Sequence, residues 1–310
     1  MRKLLHLWRD RPSIAGLLLC LGVLLAFAPD LYLPMLMRAF LWQWCALSVL
    51  MTGWNLVLRR WWTAAAFLGC AALALIPPAR ILTAPVVPEG SMHLLRVAQI
   101  NVLQNNTKYN AVVREALSSH ADLISFQEVD PTWAAVLDQG LAEELPFRRT
   151  VAGTDRYGIA LYSKFPFVSA EIVDLHGRPA VRATIQVEDI LLQLLCVHTS
   201  SPGSYASFRQ RNAQLRRIEQ MVGDTRGPVL LLGDLNTVSW DDAFHTFIRR
   251  SGLREAAEGP LATWPTAFGR SLIPLDHILV APALGITGLS TLRIPGSDHQ
   301  GLVADIRARP

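Results

Sequence analysis

Charge is scarce in this chain, and cysteine is scarcer still. Only 17% of its 310 residues are Asp, Glu, Lys or Arg, against about a quarter in ordinary soluble domains. Of the four cysteines, Cys20, Cys45 and Cys70 lie inside long apolar runs. Cys196 falls in the strand-like stretch ILLQLLCVH, where a buried thiol is the simple reading. The rest of the chain therefore has no disulfide framework and no Cys cluster to hold zinc. Also missing are H-E-x-x-H, G-x-S-x-G and G-x-x-x-x-G-K-[ST], which removes the zinc proteases, the nucleophile-elbow hydrolases and the P-loop nucleotide binders. There is no repeat of fixed period and no low-complexity tract. The net charge of +4 owes much to Lys and Arg near the apolar runs, so it is poor evidence for a nucleic-acid partner.

Hydrophobicity is what the chain has in excess, at 51% of residues, and the excess lies before residue 88. SIAGLLLCLGVLLAFA (13–28) is uncharged, PMLMRAFLWQWCALSVLMTGWNLVL (34–58) is interrupted only by Arg38, and WWTAAAFLGCAALALIPPARIL (61–82) has no charge until Arg80. Crossing a bilayer takes roughly 20 apolar residues, so three transmembrane helices are predicted, at about 13–29, 35–58 and 61–82. Trp42, Trp44, Trp61 and Trp62 sit near ends or loops, as side chains at a membrane interface do. The first run follows Arg2, Lys3, Arg9 and Arg11 and by itself resembles a signal peptide. Two further runs and the lack of a convincing small-residue cleavage site favour an uncleaved anchor. Basic residues cluster at the amino terminus and at Arg59-Arg60 and are missing from the 29–34 turn, which orients the amino terminus inward. Three crossings then place everything after residue 83 outside the cytoplasm, in the periplasm if the source is bacterial. The Pro-rich TAPVVPEGS (83–91) marks the boundary: a membrane anchor over 1–83, a linker over 84–92 and a soluble domain over 93–310.

That domain reads as α/β. Short apolar runs bounded by Gly, Pro, Asn and Asp predict strands at 94–101, 122–129, 158–163, 167–175, 180–188, 190–198, 228–236, 275–280 and 302–308. Helical patterns lie at 109–119, 131–144, 205–222 and, after an expected Ser239 N-cap, 240–250. Several strands are apolar on both faces, which calls for two packed sheets with helices outside. Polar residues collect at the strand ends: Asn101, Glu128, His198, Asp234 with Asn236, Asp276, and Asp298-His299 before the last strand. Carboxylates, amides and imidazoles on a rigid frame suit Mg²⁺ or Mn²⁺ better than zinc, and suit hydrolysis at phosphorus.

The motifs QIN (99–101), SFQEVD (125–130), RYGIALYSKFP (156–166), VHTSSP (197–202), LLLGDLNTV (230–238), LDHILV (275–280) and GSDHQGLVADI (296–306) come in a definite order. Together they resemble the motif series of the endonuclease/exonuclease/phosphatase superfamily, which includes pancreatic-type deoxyribonucleases, abasic-site endonucleases, neutral sphingomyelinases and inositol polyphosphate 5-phosphatases. The resemblance covers about residues 94–308. It implies a four-layer α/β sandwich, two packed mixed sheets with outer helices, and a Mg²⁺- or Mn²⁺-dependent hydrolase. By the same resemblance Glu128 is the main metal ligand, with Asn101 beside it and Asp298 completing the site. Asp234 acts on the attacking water, Asn236 holds that water or a phosphoryl oxygen, Asp276 orients His299 toward the scissile phosphate, and His198 stabilises developing charge.

Taken singly, each residue has a plainer reading: Asn101 and Asn236 as turn caps, His198 as a core histidine, Asp298-His299 as a solvated loop. His277 should point away from Asp276 along its strand, and Asp241 and Asp242 read as first-turn helix acids. Leu103 stands where abasic-site endonucleases tend to carry a polar residue, and no basic stretch is interleaved with aromatics to track a nucleic-acid strand. Arg209, Arg211, Arg216 and Arg217 read as a solvated helix face, whereas Arg178 and Arg182 are better placed to meet a phosphate. The expected protein is a membrane-anchored, metal-dependent phosphoesterase cleaving a phosphodiester, nucleic-acid or lipid-linked. The alternatives are a lipid or small-molecule phosphodiesterase or phosphatase of the same fold, and a non-catalytic tethered module.

Overall fold

A computed structural model describes residues 12–79, 90–256, 259–267 and 269–308. The chain divides into two compact units, one of Met1–Leu82 with Ser239–Asp242, the other of Thr83–Val238 with Ala243–Pro310.

Among the described residues the first unit contains four helices: α1 (Pro12–Leu25), α2 (Tyr32–Ala39), α3 (Leu41–Val57) and α4 (Trp61–Ala79). The continuous second span expected over 35–58 is broken. Phe40, at φ −108° and ψ 31°, leaves the helical region, and α2 and α3 meet at 66°. Among the described residues no single helix is long and apolar enough to cross a membrane, although α2 and α3 together meet that test by length and composition. Arg38 explains part of the break. Its Nε donates to Ala26 O at 2.9 Å and its Nη2 to Ala28 O at 2.6 Å, just beyond α1, where helix carbonyls lack intrahelical partners. Nη2 also lies 2.9 Å from Asp242 Oδ2, and the Arg38 backbone carbonyl accepts from Trp240 Nε1 at 2.7 Å. Asp242 is thus paired with a cation and does more than face a helix dipole, and Asp241 is buried. The following helix, α8 (Asp242–Ser251), begins two residues later than expected, which makes Asp241 rather than Ser239 the residue before its first turn. The basic residues 2–11 and the linker residues 84–89 lie outside the described residues, and the last linker position, Met92, is already in a strand.

The second unit is two mixed sheets. One has the order β10 (Leu284–Arg293), β11 (Gln300–Ala308), β1 (Met92–Asn101), β2 (Leu123–Gln127), β4 (Ile159–Ser163), β3 (Phe147–Val151). The other runs β5 (Phe167–Asp174), β6 (Pro179–Val187), β7 (Ile190–His198), β8 (Val229–Asp234), β9 (Asp276–Val280). The two strands not predicted from the sequence, FRRTV and LGITGLSTLR, are the two edges of the first sheet; only Leu284 and Ile286 at the start of the latter alternate into the core. An edge strand with an exposed face has no need of the apolar alternation that reveals inner strands, and β10 is also interrupted by a bulge between Thr287 and Ser290. Parallel pairing of β1 with β2 and of β7 with β8 requires crossovers, supplied by α5 (Tyr109–Ser118) and α7 (Tyr205–Gly223). The Asp130 carboxylate caps α6 (Pro131–Leu141) by accepting from Trp133 N at 2.7 Å, and Ser204 caps α7.

Three apolar layers hold the sandwich together. Between the sheets lie Val97, Leu123, Leu161, Val181, Leu194, Leu232, Ile278 and Ile306. Trp133, Leu137 and Val112 pack α5 and α6 on the outside of the first sheet. Leu215, Ile218, Phe244 and Phe247 pack α7 and α8 (Asp242–Ser251) on the outside of the second. Buried side chains of this size contribute about 1.5–3 kcal/mol each. Side chains alternate along a strand, so the inward register can be followed to the strand ends. On β1 it reads Val97, Gln99, Asn101; on β2 Leu123, Ser125, Gln127; on β7 Leu194, Cys196, His198; on β8 Leu230, Leu232, Asp234; on β9, in reverse, Val280, Ile278, Asp276. At one end of the sandwich the inter-sheet core changes from apolar to polar. Gly233 permits the close approach of β7 there, since a Cβ would stand 2.1 Å from Val197 O.

Candidate active site

The polar end of the core gathers Asn101, Glu128, His198, Asp234, Asn236, Asp276 and His299 around the Asp234 carboxylate. Asp234 Oδ2 accepts from Asn101 Nδ2 at 3.2 Å and lies 3.6 Å from His198 Nε2 and 3.8 Å from His299 Nε2. Its Oδ1 accepts from Asn236 N at 2.9 Å. His299 Nδ1 meets Asp276 Oδ2 at 2.8 Å, and Gln99 Nε2 donates to Asp276 Oδ1 at 2.7 Å. Behind Gln99 the chain of hydrogen bonds continues through Gln127 to Ser125. Thr263 Oγ1 accepts from the backbone N of both Leu275 and Asp276 and fixes the start of β9.

Two of these residues reach the site against the simple alternation. Gln127 faces inward, so Glu128 would turn outward if β2 continued. The strand instead ends at Gln127, and Glu128 adopts a left-handed φ of 62°. Its Oε1 then receives Asn101 Nδ2 at 3.4 Å and its Oε2 receives Gln104 N at 3.0 Å. The strand predicted over 228–236 likewise stops short of Asn236. β8 ends at Asp234, and Asn236 sits in a turn at φ 46°, its Nδ2 donating to Thr199 O at 2.9 Å. Non-glycine residues in the left-handed region cost energy and concentrate at functional sites.

Asp298 does not join the Asp234 hub through a direct hydrogen bond. Its Oδ2 accepts from Trp264 Nε1 at 3.0 Å, and its Oδ1 is buried with no hydrogen-bond partner among the described residues. Arg178 stands at the rim, its Cζ 3.5 Å from the centre of the Tyr157 ring, with Nη1 2.7 Å from Asp155 Oδ2. Tyr157 in turn packs against His198, ring centres 4.9 Å apart. Arg182 is not at the site: it points to the outer face of β6 and pairs with Glu171. Arg211 is not on a solvated face either, being fully buried with Cζ 5.6 Å from the Phe208 ring. His277 points away from Asp276, as alternation requires, stacks on Phe244 at 4.7 Å, and contacts Glu255 and Thr237 O. Gln99, Tyr157, Thr263 and Trp264 were missed as site residues. Gln99 and Tyr157 stand inside the QIN and RYGIALYSKFP motifs, beside the positions those motifs mark, whereas Thr263 and Trp264 lie in a loop without a recognisable pattern.

Burial shapes the charge states. Desolvation and the neighbouring Asp276 charge push Asp234 up to about 7 from 3.8. Burial alone would lower His299, but the charge of Asp276 and its hydrogen bond raise it to about 10. Burial would raise Asp276, yet the His299 charge and the hydrogen bonds it receives hold it below the usual carboxylate range. His198 falls to about 3 through burial, with the His299 and Arg178 charges adding to the effect, and so is neutral. Ligand atoms of Asp234, Asp276 and His299 lie within 4.8 Å of one another, close enough for a metal ion.

Mixed β-sheets packed face to face, with acids, amides and imidazoles converging on one end, define an α/β sandwich with a polar site at the ends of its strands. A model of the Endonuclease/Exonuclease/phosphatase family matches residues 98–299, and the chain belongs to this family, whose members are hydrolytic phosphoesterases. Solved structures agree on the fold. Humanized TDP2 of D. rerio, carrying 14 mutations, superposes with a TM-score of 0.57 at 19% identity, over 68% of this chain and 98% of that one. An endonuclease/exonuclease/phosphatase from Beutenbergia cavernae gives 0.58 at 19% identity, over 70% and 72%. Sphingomyelinase C from Streptomyces griseocarneus gives 0.53 at 17%, over 68% and 98%. A comparison with curated proteins returns no match.

Proposed function

We propose that this chain is a membrane-anchored, divalent-metal-dependent phosphoesterase that hydrolyses a phosphodiester by in-line attack of water. The observation that carries the reading is the buried Asp234 carboxylate, with the Asp276–His299 pair at its side. A carboxylate at about 7 is matched to taking a proton from water near neutral pH. His299, kept protonated by Asp276, faces the developing negative charge of the phosphoryl group and donates to it. His198 stays neutral and donates a hydrogen bond without competing for the proton. Asn101 and Asn236 orient the water and a phosphoryl oxygen, and Arg178 supplies a fixed positive charge for the substrate.

The donor set fits a hard divalent cation. Glu128 offers a carboxylate just past the end of β2, Asn101 a carbonyl oxygen that already accepts from Leu103 N at 3.0 Å and keeps a second lone pair, and Asp298 Oδ1 is a buried acceptor with no hydrogen-bond partner among the described residues. Burial and the Asp276 charge, which raise Asp234 to about 7, are what a cation there would offset. We assign Glu128, Asn101 and Asp298 as its ligands. Asp234, Asp276 and His299 also form a compact cluster, but Asp276 and His299 spend the relevant atoms on each other. Mg²⁺ or Mn²⁺ held there supplies polarisation of the phosphoryl group.

Membrane anchoring is supported by large apolar side chains left exposed in the helical unit, among them Trp62 at 92%, Val57 at 77% and Leu50 at 70%. Such a surface is unfavourable in water. In this reading the chain sits at the cell membrane, and the basic residues at the amino terminus and at Arg59-Arg60 support a catalytic domain outside the cytoplasm. Two substrate classes enter the test because one similar structure is a TDP2 with single strand DNA product and another a sphingomyelinase C. The full chain in detergent is offered plasmid DNA, single-stranded oligonucleotide, a sphingomyelin-type lipid and a generic phosphodiester, each with Mg²⁺, with chelator, and with Asp234→Asn. Cleavage lost in both controls is the expected outcome, and the class cleaved names the substrate; no turnover of any of the four would refute the reading. Release of the native chain from membranes by alkaline carbonate would refute the anchor.

A further inference from the structure

Trp264 has no part in the chemistry described above, yet its indole reaches directly into the site. Nε1 donates to Asp298 Oδ2 at 3.0 Å, while Asp298 Oδ1 is buried and without a hydrogen-bond partner among the described residues. The two oxygens of one carboxylate therefore meet different surroundings, one held and one open. A buried acceptor left open is costly unless something else fills its lone pairs.

The loop that carries Trp264 is itself firmly held. Trp264 N donates to Ile273 O at 2.9 Å and Ile273 N to Trp264 O at 2.7 Å, with Leu272 N adding a third bond to Trp264 O at 3.2 Å. Thr266 N donates to Asp298 O at 2.7 Å and Gln300 N to Thr263 O at 2.9 Å, so the loop is laced to both sides of Asp298-His299. The Trp264 ring lies 6.4 Å from the His299 ring. An indole N–H is an uncharged donor that cannot accept. It fixes the direction of a carboxylate without cancelling its charge, as Lys or Arg would.

We propose that Trp264 is a positioning residue for cation binding: its N–H holds Asp298 by Oδ2 so that Oδ1 is presented to the divalent ion. The inference rests on the reading of Asp298 as a cation ligand. Partners that orient metal ligands from behind are worth about 10- to 100-fold in metal affinity.

The test is Mn²⁺ binding by the full chain in detergent, read from the electron paramagnetic resonance of free Mn²⁺, with no substrate present. Trp264→Phe should weaken Mn²⁺ binding by roughly 10-fold or more, with near-ultraviolet circular dichroism used to compare equal amounts of folded protein. In an Asp298→Asn background, Trp264→Phe should have no further effect, because the route through Asp298 is already gone. If Trp264→Phe does not fold, the same cycle is run with Trp264→Met, which keeps apolar bulk without a donor. Unchanged affinity in the single variant, or the same fold loss in both backgrounds, would overturn the proposal. Wild-type chain that binds no Mn²⁺, or binding indifferent to Asp298→Asn, would overturn the underlying metal assignment instead.

Discussion

The helical unit and the sandwich each bury charged side chains, and they settle them in opposite ways. In the helical unit Arg38, at 3% exposure, is met by two backbone carbonyls and by Asp242. Its charge is answered locally, and the residue acts as structural glue. In the sandwich Asp234, at 2% exposure, has a second carboxylate near it and answers its own burial by titrating at about 7. A buried charge with an opposite charge and carbonyls around it holds parts together, whereas one beside a like charge is poised to move a proton or attract a cation.

The contrast breaks first at the chemical step. Asp234→Asn and His299→Ala are each expected to lower turnover by at least about a hundredfold with the fold intact; near-normal rates in either variant would defeat the mechanism. Chelation should abolish activity and Mg²⁺ or Mn²⁺ restore it. A bound cation favours the charged carboxylate, so with Mg²⁺ the acid limb of the kcat profile should lie below the value of about 7 set by burial. An acid limb that ignores the metal would separate Asp234 from the cation.

Asp276→Asn should cost about a hundredfold in rate, the lower end of acid–base effects, and should change how stability depends on pH. His299, raised from 6.5 to about 10, stabilises the fold fully below pH 6.5, and that contribution is lost as pH climbs through about 10. Asp276, depressed from 3.8, contributes above that value and loses its contribution as pH falls through its lowered one. Chemical-unfolding midpoints should therefore drop between neutral pH and pH above about 10 in the wild type, and drop far less in Asp276→Asn. Equal slopes would show that the pair does not stabilise the fold.

The helical side of the comparison predicts a smaller effect. Arg38→Gln removes two charge-assisted hydrogen bonds and two ion pairs, one to Asp242, 55% exposed, and one at 3.9 Å to the buried Asp241, so a loss of about 2 kcal/mol or more is expected. Thermal melts in detergent would measure it. Smallest of all, Arg178→Ala should raise KM several-fold with little change in kcat, as expected for a rim charge; a large kcat effect would move Arg178 into the chemistry.

Much of the sandwich was legible because inner strands need apolar residues and crossover helices need a periodic face. Runs such as VLLLGD and ILLQLLCVH fall close to the strands observed, and the helices at 109, 131 and 205 start at the positions read from the sequence. The edge strands FRRTV and LGITGLSTLR are illegible because a half-exposed, singly paired strand carries little of that pattern, no more than Leu284 and Ile286 in the second. In the helical region, composition marked the apolar runs but not the break at Phe40, since nothing local shows that Arg38 will find its partners 12 and 10 residues back and again at Asp242.

For the candidate site, the sequence by itself determined the residue types and the inward register that carries Asn101, His198, Asp234 and Asp276 to one end of the core, because alternation along a strand is a local property. Tertiary structure alone decided the rest. The left-handed turns that swing Glu128 and Asn236 inward, the Gln99 support for Asp276, the packing of Tyr157 on His198 and the Trp264 bond to Asp298 each join segments distant in the chain. Their geometry is set by how the two sheets pack, and no local pattern encodes it.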